Sequence, residues 1–268
     1  MEIQPGTRAF ITGASRGIGR ALAVDLAGRG ATLGLAARST DELEALAATL
    51  PGEHHVLRCD VADEASVREA IAAFAEAAGG LDLLVANAGL THYGPFRDQT
   101  MDQLRQMTDV NWYGTLFTVH AGLPLLLAQA PARPGHIVIV SSGAGLRSFP
   151  SAAVYGATKA AQRMFGEALR HELGGTGVGL TVVYPGEIKS SLHDHEKARM
   201  PAWYHGDEKA ASAEALVEKI VAAVEADARA VHFPPLVRLL GALHGLSPKL
   251  SDRFLHRLRG ASAAPRLD

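Results

Sequence analysis

The chain has 268 residues, 47% of them hydrophobic, a length and composition that can bury a large core as one α/β domain. Its net charge of −2 gives no global attraction to nucleic acid or anionic surfaces. The single cysteine, Cys59, excludes an internal disulfide, and no run of residues approaches the roughly eighteen apolar positions of a membrane span. Met1 to Gly6 lead directly into the first apolar run, so no leader is expected and a cytoplasmic location is.

In chain order, short apolar runs predict strands near Arg8–Thr12, Thr32–Ala36, His54–Cys59, Leu81–Asn87, His136–Ser141, Leu180–Tyr184 and Ala230–Phe233, with helical patterns between them. This alternation predicts βαβ crossovers and a doubly wound parallel sheet of the Rossmann type. Ligands of such sheets bind beyond the carboxyl ends of the strands, where the strand order reverses.

The first strand breaks into Thr12-Gly13-Ala14-Ser15-Arg16-Gly17-Ile18-Gly19. Gly13 permits a tight turn, Gly17 a close approach of backbone to a pyrophosphate, and Gly19 the packing of a helix whose N-terminal N–H groups face phosphate. After the second strand an NAD enzyme usually carries an acid that holds the ribose hydroxyls; here Ala37 stands there and Arg38 follows, with Arg16 as a second cation. Guanidinium groups suit a 2′-phosphate, so NADP(H) is the expected cofactor.

Tyr155-Gly156-Ala157-Thr158-Lys159 puts a phenol and an ammonium on one helix face. A tyrosine keeps its proton to pH about 10, and a neighbouring cation favours its phenolate. Ser142 follows the run Ile137 to Val140, and its hydroxyl at a strand end can bond a substrate oxygen. Asn111 interrupts a long helical pattern, Met101 to Gln129, where asparagine is a poor helix former.

With Asn87-Ala88-Gly89, Asn111, Ser142, Tyr155 and Lys159 in this order behind the glycine turn, the chain from Thr7 to about Phe233 resembles the short-chain dehydrogenase/reductase family. The resemblance implies a ketone or aldehyde to alcohol oxidoreductase with Asn111, Ser142, Tyr155 and Lys159 as the catalytic four. It implies cofactor contacts from Gly13, Ser15, Arg16, Gly17, Ile18, Gly19, Arg38, Asn87, Ala88, Gly89, Tyr155 and Lys159. It adds Asp60 and Val61 at the adenine, Pro185 and Gly186 in the loop over the nicotinamide, and Ile188 and Ser190 beyond it. Lys159 would also hold the ribose, and Asn111 would bind a water linking Lys159 to solvent. Ala86 replaces an asparagine and Ser190 a threonine common in the family. A homodimer or homotetramer is the family norm. The alternative is a cofactor-binding sensor or scaffold without turnover, but such members typically lack the tyrosine or lysine.

Residues 190–209, with Leu192, Met200, Trp203 and Tyr204, fit a substrate lid and suggest a bulky or apolar small-molecule substrate, 3-ketosphinganine-like or steroid-like. His193, His195 and His205 lie there, but no metal is expected because no carboxylate or cysteine cluster completes a site. Residues 1–234 form the expected catalytic domain and 235–268 an amphipathic tail bearing Arg238, Lys249, Arg253, Arg257 and Arg259. Such a tail can lie against a membrane interface or pack on protein; packing is preferred.

Overall fold

The run Arg8–Thr12 is fully apolar after its first residue except for Thr12, the pattern of a strand covered on both faces, and it forms β1. The computed structural model describes residues 1–189 and 210–259, with side chains through Arg253. The predicted lid and Ser190 therefore lie outside the described residues.

Seven strands follow: β1, β2 (Thr32–Ala37), β3 (His55–Arg58), β4 (Leu83–Ala86), β5 (Gly135–Val140), β6 (Val178–Pro185) and β7 (Ala230–Phe233). Every pairing is parallel, in the order β3-β2-β1-β4-β5-β6-β7. The order reverses between β1 and β4, so all carboxyl ends share one edge with a crevice at that junction. The predicted strands are all present, displaced by one or two residues at several ends, where pairing rather than apolarity decides the limit.

Helices α1 (Gly17–Gly28), α2 (Asp41–Ala47) and α3 (Glu64–Ala78) link the first strands. Then come α4 (Met101–Met107), α5 (Gly114–Gln129), α6 (Ala153–Glu172) and α7 (Ala213–Glu225), and the tail forms α8 (Leu236–Leu246) and α9 (Pro248–Arg259). The period-2 alternation of each strand divides the core. Ala9, Ile11, Val138 and Val140 pack with Leu22 and Leu26 of α1 and Ile220 of α7. Phe10, Ile137 and Ile139 pack on the other face with Phe74, Leu126 and Leu169. Each fully buried Leu, Ile or Phe contributes about 1.5–3 kcal/mol, so this double layer dominates the stability. Among the described residues no helix is long and apolar enough to cross a membrane.

The long helical pattern Met101 to Gln129 is not one regular helix. Between α4 and α5, Thr108–Tyr113 forms a π-helical turn. There the Asn111 carbonyl accepts hydrogen bonds from Thr115 Oγ1 at 2.8 Å and Gln162 Nε2 at 2.7 Å. Side-chain donors to a helical carbonyl are a recognised cause of such distortion.

At the opposite edge of the sheet, the Asp82 side chain is 3% exposed and binds Arg8 at 2.6 Å and Arg133 at 2.5 Å. Burial alone would raise its carboxyl, but the hydrogen bonds from Arg8 and Arg133 outweigh it and hold the group at about 2. The stabilisation is thus complete above the ordinary carboxylate range and is lost as pH falls toward 2. Asp82→Ala leaves Arg8 without its buried partner and should cost about 3 kcal/mol in urea unfolding at pH 7, with a far smaller difference from the parent near pH 2.

Candidate active site

The turn from β1 into α1 is tied to the end of β4. Thr12 Oγ1 accepts from the Asn87 N–H at 3.0 Å and the Ala88 N–H at 3.1 Å. Asn87 Nδ2 donates to the Thr12 and Gly13 carbonyls at 2.9 and 3.1 Å. These bonds leave no room for side chains: a Cβ at Gly13 would lie 2.9 Å from Ala88 Cα, and one at Gly19 would collide with the Gly13 carbonyl and meet Asn87 Nδ2 at 2.6 Å. Gly13 and Gly17 both take positive φ, 66° and 54°. No side chain caps α1, whose first turn holds no acid. Its leading N–H groups are therefore available to an anion, and the bare backbone beside them is a cradle that any Cβ would fill. This fits the pyrophosphate of a dinucleotide.

One cleft of about 860 Å³ runs from this turn across the carboxyl edge of the sheet. At one end it is lined by Ala37, Arg38, Asp60 and Val61, with Ser15, Arg16 and Ile18 along the turn. Arg16 and Arg38 are exposed, and their guanidinium groups bond no protein group among the described residues. Glu42, at the start of α2, also lines the cleft, an acid that motif reading did not single out. The same lining continues through Asn87, Ala88 and Gly89 to Pro185, Gly186 and Ile188.

The catalytic candidates converge beyond the end of β5. Ser142 is in extended backbone and its Oγ accepts from the Ala144 N–H at 3.1 Å. Tyr155 sits in the first turn of α6 and lines the cleft together with Ser142. One turn on, Lys159 Nζ donates to the Val140 carbonyl at 3.0 Å and lies 5.8 Å from the centre of the Tyr155 ring. The buried stripe of α6 is Tyr155, Thr158, Lys159, Gln162, Gly166 and Leu169, polar near the cleft and apolar beyond it. That stripe can lie close to the sheet because a Cβ at Gly166 would meet Val182 Cγ2 at 2.5 Å.

Burial opposes ionisation of both groups, against the lowering of the Tyr155 phenol expected from a Lys159 cation. Burial pushes the phenol up, and the nearby Ser142 hydroxyl lowers it by less. Burial also pulls Lys159 down to about 7.

Asn111 does not line the cleft. Its Oδ1 accepts from the Leu90 N–H at 2.8 Å, and its Nδ2 donates to the Leu90 carbonyl at 2.9 Å and to Thr158 Oγ1 at 3.1 Å. The amide thus fastens the segment after β4 to α6. Gly89 lies between Asn111 and Lys159, where a Cβ would be 3.2 Å from Asn111 Oδ1 and 3.4 Å from Lys159 Nζ.

Several lining residues carry no motif. Tyr93 packs against Tyr155 with ring centres 6.2 Å apart and against Phe149 at 6.0 Å. Arg147, Leu236, Val237, Leu240 and Gly241 complete the wall. No sequence signal separates Tyr93 or Phe149 from ordinary core aromatics, because their placement depends on chain segments far apart. Among the described residues no group of three or more His, Cys, Asp or Glu is arranged to hold a metal.

Known proteins share this fold. The family model described as short chain dehydrogenase matches residues 7–201. An uncharacterized oxidoreductase of Listeria monocytogenes is 39% identical over 188 residues, 68% of this chain and 75% of that protein. A short chain dehydrogenase/reductase of Burkholderia phymatum, solved in complex with NAD, superposes with a TM-score of 0.85 at 27% identity, over 93% of this chain and 96% of that one. An alcohol dehydrogenase of the archaeon Thermococcus sibiricus, complexed with 5-hydroxy-NADP, gives 0.73 at 28% identity, over 85% and 94%. The family model covers more than half of the chain and the fold agrees with the solved structures, so the chain belongs to the short-chain dehydrogenase family as one of its oxidoreductases.

Proposed function

We propose that the chain interconverts a ketone or aldehyde and the corresponding alcohol with NADP(H), on a bulky or lipophilic substrate. The observation that carries this reading is the presence of Ser142, Tyr155 and Lys159 together in the lining of the same cleft as the uncapped α1 turn. Ser142 Oγ and the Tyr155 hydroxyl hold the substrate oxygen between them. A buried phenol keeps its proton at neutral pH, so Tyr155 is poised as the donor for reduction. Lys159, at about 7, exchanges a proton readily near neutrality and can restore the one that Tyr155 gives up. The dinucleotide, when bound, supplies or accepts the hydride.

Ser15, Arg16, Gly17 and Ile18 would hold its pyrophosphate side, Asp60 and Val61 the adenine, and Lys159 the nicotinamide ribose, beside Pro185, Gly186 and Ile188. Preference for NADP(H) is supported by Arg38 and Arg16, whose guanidinium groups bond no protein partner among the described residues; of the two acids at that end, Glu42 and Asp60, the second already accepts from the Ala62 N–H at 3.1 Å. The neighbours bind both kinds of dinucleotide, the Burkholderia protein NAD and the Thermococcus enzyme an NADP derivative. The outer faces of α5 and α6 support a homodimer or homotetramer: Leu127 and Met164 are exposed there, and Tyr113, just before α5, stacks on Phe117.

Tyr155→Phe should lower turnover at least a thousandfold, at the upper part of what general acid catalysis contributes, while NADPH affinity stays within about twofold; steady-state assay against a ketone panel and fluorescence titration of NADPH check this. Ala37→Asp combined with Arg38→Leu should move preference toward NADH by at least tenfold in kcat/KM, since it adds a repulsive charge and removes an attractive one. A parent that already prefers NADH in that comparison would overturn the cofactor assignment.

The burial of Lys159 also predicts a pH dependence of the dinucleotide-free protein. Between about pH 7 and the ordinary lysine range near 10.5, the unfolded chain binds a proton that the folded one does not. Stability therefore rises with pH through that window, and below pH 7 the burial penalty is fully present. The urea midpoint should increase from pH 7 to about 9.5, short of tyrosine ionisation, and Lys159→Met should flatten the slope.

A further inference from the structure

The tail is built into the cleft. Helix α8 begins three residues after β7, and its inner face presents Val237, Leu240 and Gly241 at helical spacing. Val237 is buried; its Cγ1 is 3.2 Å from the Cβ position of Gly143, next to Ser142, and its Cγ2 is 3.1 Å from that of Gly186. The Cβ position of Gly241 lies 3.2 Å from Leu146 Cδ1. Helix α9 then brings Asp252 to Arg147, with Oδ1 and the guanidinium 2.5 Å apart across 105 residues of chain. Arg147 stands between Ser142 and Tyr155 in sequence and itself lines the cleft.

We propose that α8 is the substrate-selecting wall of the cleft and that the Arg147–Asp252 ion pair clasps it in place, so that the favoured substrate is a carbonyl compound with an extended, uncharged, apolar body. This rests on the oxidoreductase reading above. Asp252 answers the Arg147 charge from outside the cleft, whose lining includes the apolar side chains of Leu90, Tyr93, Phe149, Val237 and Leu240, with Glu187 on the loop after β6 as a carboxylate. A carbonyl whose oxygen meets Ser142 and Tyr155 lays its body along those side chains. Each methylene buried there should raise affinity up to about fourfold.

The test is calorimetric binding of the 2-alkanones from butan-2-one to decan-2-one to the full chain, with and without oxidised NADP. In the parent, affinity should rise steadily with chain length. Leu240→Trp, which fills the wall, should weaken decan-2-one at least tenfold and leave butan-2-one within about twofold. If that variant does not fold, Leu240→Ala should weaken decan-2-one several-fold with the same sparing of butan-2-one. Asp252→Ala alters no cleft residue and should flatten the chain-length dependence while raising amide hydrogen exchange across 236–246. A flat series in the parent, or Leu240 variants that treat the two ketones alike, would overturn the wall. Unchanged exchange and slope in Asp252→Ala would overturn the clasp. Dinucleotide affinity is read in the same titrations: its absence in the parent overturns the oxidoreductase reading, whereas a flat ketone series with intact dinucleotide binding overturns only this inference.

Discussion

The contact on which the site depends is the hydrogen-bonded junction of Thr12 and Asn87 across the point where the strand order reverses. In a doubly wound sheet the connections diverge there to opposite faces and open a crevice. Four hydrogen bonds, two accepted by Thr12 Oγ1 and two donated by Asn87 Nδ2, hold the two loops at a fixed separation. Thr12 is buried and Asn87 half-buried, and by satisfying each other they avoid the cost of unpaired polar groups. It also explains the glycines: with Asn87 drawn over the turn, a side chain at Gly13 or Gly19 has nowhere to go. The mouth of α1 is thereby kept as bare backbone, the form in which it can meet phosphate.

Burial is the second constraint, and its cost is part of the chemistry. Tyr155 and Lys159 belong to the stripe by which α6 packs on the sheet, so neither can be wholly hydrated. Desolvation disfavours both charged forms, keeping the phenol protonated and bringing the ammonium close to neutrality in its proton affinity. The polar network of Asn111, Thr115, Thr158 and Gln162 behind them satisfies most of its donors internally and makes a firm backing for the pair. The π-helical turn at Asn111 is the local expression of that network in the backbone.

The ends of the chain's functional surface are unequal. The dinucleotide end is made largely of backbone and small residues, and it tolerates little change because space is short. The other end is walled by side chains from four separate segments: the stretch after β4, the loop between β5 and α6, the loop after β6 and the tail. Such a wall can vary in shape without disturbing the turn at Gly13. Specificity and cofactor binding are in this way physically separable within one cleft.

Much of this was legible in the sequence. The seven strands, the parallel alternation and the roles of Gly13, Gly17 and Gly19 follow from local patterns whose causes are local: backbone freedom, apolar runs and helical period. The shared face of Tyr155 and Lys159 followed from their spacing, because residues four apart on a helix lie one above the other, whereas the place of Ser142 beside them was carried by the family resemblance. The protonation of Tyr155 was not legible, since a neighbouring cation and burial act in opposite directions and only the packed structure shows which wins. Nor was the engagement of Asn111 by Leu90 and Thr158, or the meeting of Tyr93 and Phe149 at Tyr155. The tail shows the division most clearly. Its amphipathic pattern determined that one face must be covered, but whether by membrane or protein depended on the surface it met. The bare backbone at Gly143 and Gly186 and the charge of Arg147 gave Val237 and Asp252 their places, and those partners lie about a hundred residues or fewer upstream, brought alongside only by the fold.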